Sequence, residues 1–244
     1  MQITEIHFDS VDSTTTFAKR EYASFAPDRI TVVTADEQTA GKGRYQRTWF
    51  SPKGVNLYAT FCFRLHSNAF DIPSLAQVMS FSLASVLLVE GFHPKIKWPN
   101  DVQINGKKVS GVLCETIFES KWVQILLGIG INVNMEETDL ERIDQPATSL
   151  KIETGKHWNR RALMNRLEER FSADLEQFKK SGFAPFHNLV ENLLAHKGST
   201  IRCFDGKKEW VGVCHSLGKD GRLNLLLPNG EMHAILSGDI QAQS

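Results

Sequence analysis

The spacing of apolar positions predicts most of the elements. Ile3–Phe8 mixes apolar and polar positions as a half-buried strand does, and Ile30–Ala35 reads as a short buried strand. Val55–Leu65 alternates: Leu57, Ala59, Phe61, Phe63 and Leu65 share one face, and Tyr58, Thr60, Cys62 and Arg64 share the other. Lys95–Trp98 and Val102–Ile104 are short strand pieces around Pro99-Asn100-Asp101, and Asn105-Gly106 is a two-residue hairpin signal. Lys108–Phe118 and Trp122–Val133 are near-continuous apolar runs, which predicts central strands. Helical spacing places Ala18, Tyr22 and Phe25 on one face after Asp12-Ser13-Thr14-Thr15. A second helix opens at Pro73, carries a stripe from Leu75 to Leu87 and stops at Gly91. Asn159–Lys180 predicts a long amphipathic helix and Ala184–His196 a shorter one, while Met135–Leu150 reads as an acidic loop able to cover a cleft.

After Lys197-Gly198 the pattern changes. Thr200–Asp205, Lys208–Ser216, Arg222–Leu227 and Glu231–Leu236 are short strands separated by glycine turns. The prediction is an α+β fold, a mixed sheet with helices over residues 1–196, followed by a small β-barrel over residues 197–244.

Chemistry gathers in a few places. Gly41-Lys42-Gly43-Arg44 and Arg47 form a poor helix and a poor strand, but a good mobile, cationic, anion-binding loop. An ordinary solvated surface loop has the same letters. It is neither a Walker A loop, since Arg44 rather than a hydroxyl residue follows Gly43, nor a dinucleotide fingerprint, since position 46 is Gln46. Ser13 and Thr14 can cap a helix or meet a polar ligand at its start. Gly111, Gly128 and Gly130 interrupt the central strands, as glycines do beneath a cleft, at bulges or at tight packing. Asp101 is the one acid among these cationic, amide and glycine groups, an inventory suited to phosphoryl or nucleotidyl transfer.

Composition narrows the field. The 244 residues hold 28 basic and 28 acidic side chains, which argues against a global nucleic-acid footprint. There is no signal-peptide pattern, and the apolar runs read as shorter than the ~18 residues of a membrane span. The four cysteines form no Cys-x-x-Cys pair, which favours free thiols in a reducing cytoplasm over a Cys203–Cys214 disulfide. The histidines show no metal-ligand spacing, so no structural metal is expected.

The segments DSTT at 12–15, EQTAGKGRYQRTWFSPKGVNLY at 37–58, KWPNDV at 97–102, KVSG at 108–111 and GIGINVN at 128–134 resemble the biotin–protein ligases, in that family's order. The resemblance implies a core similar to class II aminoacyl-tRNA synthetases with an SH3-like C-terminal domain. It implies that biotin and ATP, with Mg²⁺, give biotinyl-5′-adenylate, which then acylates a lysine of a biotin carboxyl carrier protein, an acetyl-CoA carboxylase subunit by family expectation. By motif position, Ser13, Thr14, Thr15, Gln38, Gly41, Lys42, Gly43, Arg44, Lys108, Gly111 and Gly130 would bind biotin. Arg44, Arg47, Trp49, Asn56, Asn100, Asp101, Lys108 and Asn132 would bind the nucleotide. Arg44, Lys108 and Asp101 would be catalytic, with Asp101 also the Mg²⁺ contact or the base of the second step.

Three letters depart from the family pattern. Thr15 stands where Asn is common, Lys42 replaces an arginine, and Gln46 replaces a glycine and predicts a stiffer loop. The chain opens at the catalytic core with no room for the DNA-binding domain of some relatives, so no repressor function, nucleic-acid partner or membrane partner is expected. Monomer and homodimer both stay open. The rival readings are a lipoate ligase or octanoyl transferase on the same core, a non-catalytic biotin or nucleotide sensor, and a scaffold.

Overall fold

The computed structural model describes residues 2–68 and 71–242. The first strand β1 (Ile3–Phe8) pairs in parallel with β2 (Ile30–Ala35), and α1 (Thr14–Glu21) crosses between them. Next come β3 (Leu57–His66), α2 (Leu75–Val89), β4 (Lys95–Lys97), β5 (Asp101–Ile104), β6 (Lys107–Phe118) and β7 (Trp122–Ile131). These seven strands form one sheet in the order β1-β2-β3-β7-β6-β5-β4, antiparallel beyond the first pair. The central apolar runs do lie centrally, in β7 and β6.

The alternation in β3 decides its two faces. Ala59, Phe61, Phe63 and Leu65 belong to the large core, where Phe171 meets Phe61 edge-on at 5.2 Å between ring centres. Burying each such phenyl ring contributes about 1.5–3 kcal/mol. Cys62, on the other face, packs with Ala18 of α1, Val33 and Leu126. Helix α2 is buried over most of its length against the sheet and the long helix over Arg160–Ser181. Its apolar stretch is a correction to the sequence reading. Residues 72–89 do reach 18 positions with mean hydropathy 1.8, yet 72% of them are buried inside the protein. The stretch is apolar on all sides because it sits between the sheet and other helices.

The segment after β7 carries two short helices, α3 (Glu137–Leu140) and α4 (Leu150–Thr154). It is therefore not wholly loop, and Pro146, Ala147 and Thr148 are stitched to the start of β6 through the backbone of Lys108. Helix α5 (Arg160–Ser181) follows, capped by the Asn159 side chain on the amide of Ala162. The last helix, α6 (His187–Asn192), is shorter than the predicted 184–196. Backbone pairing explains this: Ile96 donates to Leu193 and accepts from Ala195, which draws residues 193–195 out beside β4.

The second sheet contains β8 (Thr200–Phe204), β9 (Glu209–Leu217), β10 (Leu223–Leu226), β11 (Met232–Ile235) and β12 (Asp239–Ala242), ordered β11-β10-β9-β8-β12. Four of these strands were predicted. β12 is short, and only its pairing with β8 makes it a strand. The Trp98 indole N–H and the Gln77 amide both donate to the carbonyl of Gly221, binding this sheet to the first. The side chains Ile201, Cys203, Leu223 and Leu225 join the same buried cluster as Trp98. All four cysteines are free, and burial pushes the thiols of Cys62, Cys114 and Cys203 up to about 12 and Cys214 to about 11.

Candidate active site

The strand glycines fall into register. Gly111 of β6 lies opposite Gly130 of β7, and Gly130 opposite Tyr58 of β3. Gly128 lies opposite Thr60. On the face toward α1 these positions carry no side chains, and a cleft opens over them. Neighbouring groups use the vacated space. A Cβ on Gly130 would stand 2.3 Å from Cε2 of Trp49, and one on Gly128 would stand 2.7 Å from Oγ1 of Thr15. A side chain at either position would force its neighbour or the strand to shift, so glycine is what permits this close approach.

One wall is polar. Ser13 caps α1, its Oγ accepting from the amide of Thr16 at 3.4 Å. The hydroxyls of Thr14 and Thr15 each meet that of Thr60, at 2.8 and 3.0 Å. Gln38 accepts from the amide of Thr14 at 3.0 Å and donates to Ser51 at 3.0 Å, which fixes its amide at the wall. Thr60 follows from the alternation of β3, since it shares the face of Cys62 and points toward α1. The capping role of Ser13 is thus observed, and its side chain also lines the cleft.

The opposite wall is charged. The Lys108 ammonium donates to Asp101 at 2.8 Å, with the two side chains 14% and 13% exposed, and stands 5.2 Å from the centre of the Trp49 ring. Asp101 opens β5 opposite Gly111, so strand register brings the pair together over the glycine. Asn100 donates to the carbonyl of Val112 at 2.6 Å, and its Oδ1 accepts from Arg44 at 3.3 Å.

The cationic loop closes over this cleft as a tight hairpin. Lys42 bridges to Thr48, and the Gly43 amide donates to Arg47 at 2.8 Å. Tyr45 and Gln46 both adopt positive φ, 54° and 60°. Lys42, Gly43, Arg44, Arg47 and Trp49 all line the cleft. Gly41 lies just behind it, beneath the Trp49 carbonyl and the Ser51 hydroxyl. Asn132 lines an adjoining hollow with Trp49 and Lys108. Asn56 does not line either hollow: it is fully buried, and its Oδ1 accepts from the amide of Val133.

The family model described as the biotin/lipoate A/B protein ligase family matches residues 7–132. The chain belongs to that family. Among its relatives, the bifunctional ligase/repressor BirA of Bacillus subtilis is 32% identical over 97% of this chain and 73% of its own length. BirA of Escherichia coli is 32% identical over 86% of this chain, and the match spans 65% of that protein, just under two thirds. The biotin protein ligase from Aquifex aeolicus, solved in complex with biotin and ATP, superposes with a TM-score of 0.83 at 32% identity. That match covers 98% of this chain and 99% of the Aquifex one, so the α+β fold with its second sheet is the biotin protein ligase fold.

The family model's match ends at residue 132, and two groups beyond it that the sequence did not single out reach the cleft. Gln145 arrives on the segment stitched to Lys108, and Asp239 arrives from the second sheet. Asp239 receives Arg47 at 2.5 Å and thereby holds its guanidinium above its ordinary value. Outside the cleft, His7, Asp9 and Asp36 bring three donor atoms within 4.8 Å of one another among the described residues. Asp36 is there already paired with Arg160 at 2.9 Å.

Proposed function

We propose that this protein activates biotin with ATP as biotinyl-5′-adenylate and passes the biotinyl group to a lysine of a biotin carboxyl carrier protein. The observation that carries it is the convergence of Lys42, Arg44, Arg47 and Lys108 on one cleft floored by bare backbone. The first step must bring two anions together. At about 4 Å and an effective dielectric near 20 they repel by about 4 kcal/mol, and cations fixed at the meeting point offset that. A carboxylate oxygen of biotin forms the new bond to the α-phosphorus, and the bond to the β-phosphate oxygen breaks to release pyrophosphate. Biotin is already ionised near neutral pH, so this step needs no base.

The polar wall of Ser13, Thr14, Thr15 and Gln38 suits a compact ring bearing both donors and acceptors. The glycine floor at 111 and 130 suits close approach of a flat ring, a place the Trp49 indole holds here and would yield to biotin, and Lys108 suits the biotin carboxylate and the acyl phosphate formed from it. Arg44, Arg47, Asn100 and Asn132 stand on the side where the nucleotide would lie, and Trp49 offers a stacking face. Asn56 supports this wall from behind through Val133 instead of touching a ligand. Asp101, a carboxylate on the wall of this cleft, would hold a Mg²⁺ that keeps its waters and the substrate phosphates as its other ligands. Such an ion would spread the phosphate charge. In the second step the acceptor amine attacks the carbonyl carbon, AMP leaves and one proton is lost. The pairing of Asp101 with Lys108 supports a charge-holding role for this acid over that of base.

The test is incubation with biotin, ATP, Mg²⁺ and a carrier domain, following pyrophosphate release and a biotinylated lysine. Product with biotin and none with lipoate or octanoate is expected. Pyrophosphate release that requires lipoate, or no release with any acid, would overturn the reading.

A further inference from the structure

The second sheet reaches the cationic loop at one short segment, Ser237–Asp239. Arg44 donates through Nη1 to the Gly238 carbonyl at 3.0 Å and to Asn100, and through Nη2 to Ser237 Oγ at 3.0 Å and to the Tyr45 hydroxyl. A guanidinium has four Nη hydrogens, so all of them have acceptors here and only Nε–H is uncommitted. Arg47 uses one corner of its fork on Asp239 at 2.5 Å and leaves the rest toward the cleft. Asp239 itself lines the cleft. Its place is fixed by β12, where Asp239 is paired with Phe204 and the next residue, Ile240, is fully buried.

We propose that Asp239 and Ser237 are positioning residues: through Arg47 and Arg44 they dock the loop onto the second sheet and set its two arginines over the cleft. Neither residue touches a reacting atom. Each fixes one end of a loop whose backbone already turns through two positive φ angles, and which two glycines would otherwise leave loose. The second sheet thereby becomes part of the nucleotide side of the site, and not only a neighbour of it. The effect on ATP rests on the ligase reading above, whereas the docking of the loop does not.

The loop carries its own probe, because Lys42, Arg44 and Arg47 are trypsin sites. Limited trypsin digestion of the ligand-free full chain reads the docking directly. An exposed ion pair is a weak tether, so Asp239→Ala should speed cleavage at 44 and 47 about threefold. Asp239→Ala with Ser237→Ala should speed it about tenfold, while Asp239→Glu stays near the parent rate. The thermal midpoint should hold, and the KM for ATP should rise by a similar factor with kcat within about twofold. Unchanged cleavage would overturn the proposal. So would faster cleavage at every site with a fallen midpoint, or a freed loop with an unchanged KM for ATP. If the parent protein released no pyrophosphate with biotin and ATP, the ligase reading would fail, while the digestion would still report on the docking.

Discussion

The indole of Trp49 rests against the backbone of Gly130 so closely that any Cβ there would overlap it. Gly130→Ala must therefore expel the ring or bend β7. Overpacking of this kind costs about 1–3 kcal/mol, so biotin affinity measured by calorimetry should fall about 10- to 100-fold. Adding Trp49→Ala removes the clash, and the double variant should lose less than the two single losses summed. Full additivity would show that the glycine acts by some other contact.

Lys108 and Asp101 are nearly buried together, so the two substitutions should fail differently. Lys108→Ala should slow adenylate formation about 100-fold or more, the scale of removing a fixed charge from a transition state, while biotin binding falls far less. Asp101→Ala strands a half-enclosed ammonium, and the thermal midpoint should drop as well. Equal losses of binding and rate in Lys108→Ala would reduce that residue to a binding group.

Gln46 takes a left-handed backbone conformation that costs a side-chain-bearing residue roughly 1–2 kcal/mol. Gln46→Gly should relieve most of it and raise the midpoint by about 2 °C. Gln46→Pro cannot adopt that φ and should loosen the loop, seen as faster trypsin cleavage beside it. A lower midpoint in the glycine variant would show that Gln46 holds the turn through its side chain.

Glu168 on α5 is 7% exposed, and burial raises its carboxyl to about 6. The folded protein then binds this proton more tightly than the unfolded chain, so stability falls as pH rises from about 4.5 through about 6. The burden is fully present above that window. Glu168→Gln should stabilise the protein at pH 7 by about 1–2 kcal/mol and flatten that part of the profile. Denaturant midpoints across pH 4 to 8 test this, and an unchanged slope would refute it.

Much of the cleft was legible because its signals are local. The strand glycines, the hydroxyls at the start of α1 and the basic loop between Gln38 and Trp49 each declare themselves by residue type and spacing. The alternation of β3 even assigns Thr60 to the face of the cleft. The contact of Asn56 with the amide of Val133 was not legible, because an asparagine within a recognised motif gives no sign whether its amide faces a ligand or a buried backbone amide.

The sequence alone determined the strands, the long helices and the family, because period, turn residues and motif order are properties of neighbouring positions. The tertiary structure decided the rest. It alone shortened α6 by pairing residues 193–195 with Ile96, and created β12 by giving it β8 as a partner. It alone brought Asp239 to Arg47 across 192 positions. Contacts between distant segments are fixed by packing and hydrogen-bond satisfaction in the folded chain, and no local pattern of letters records them.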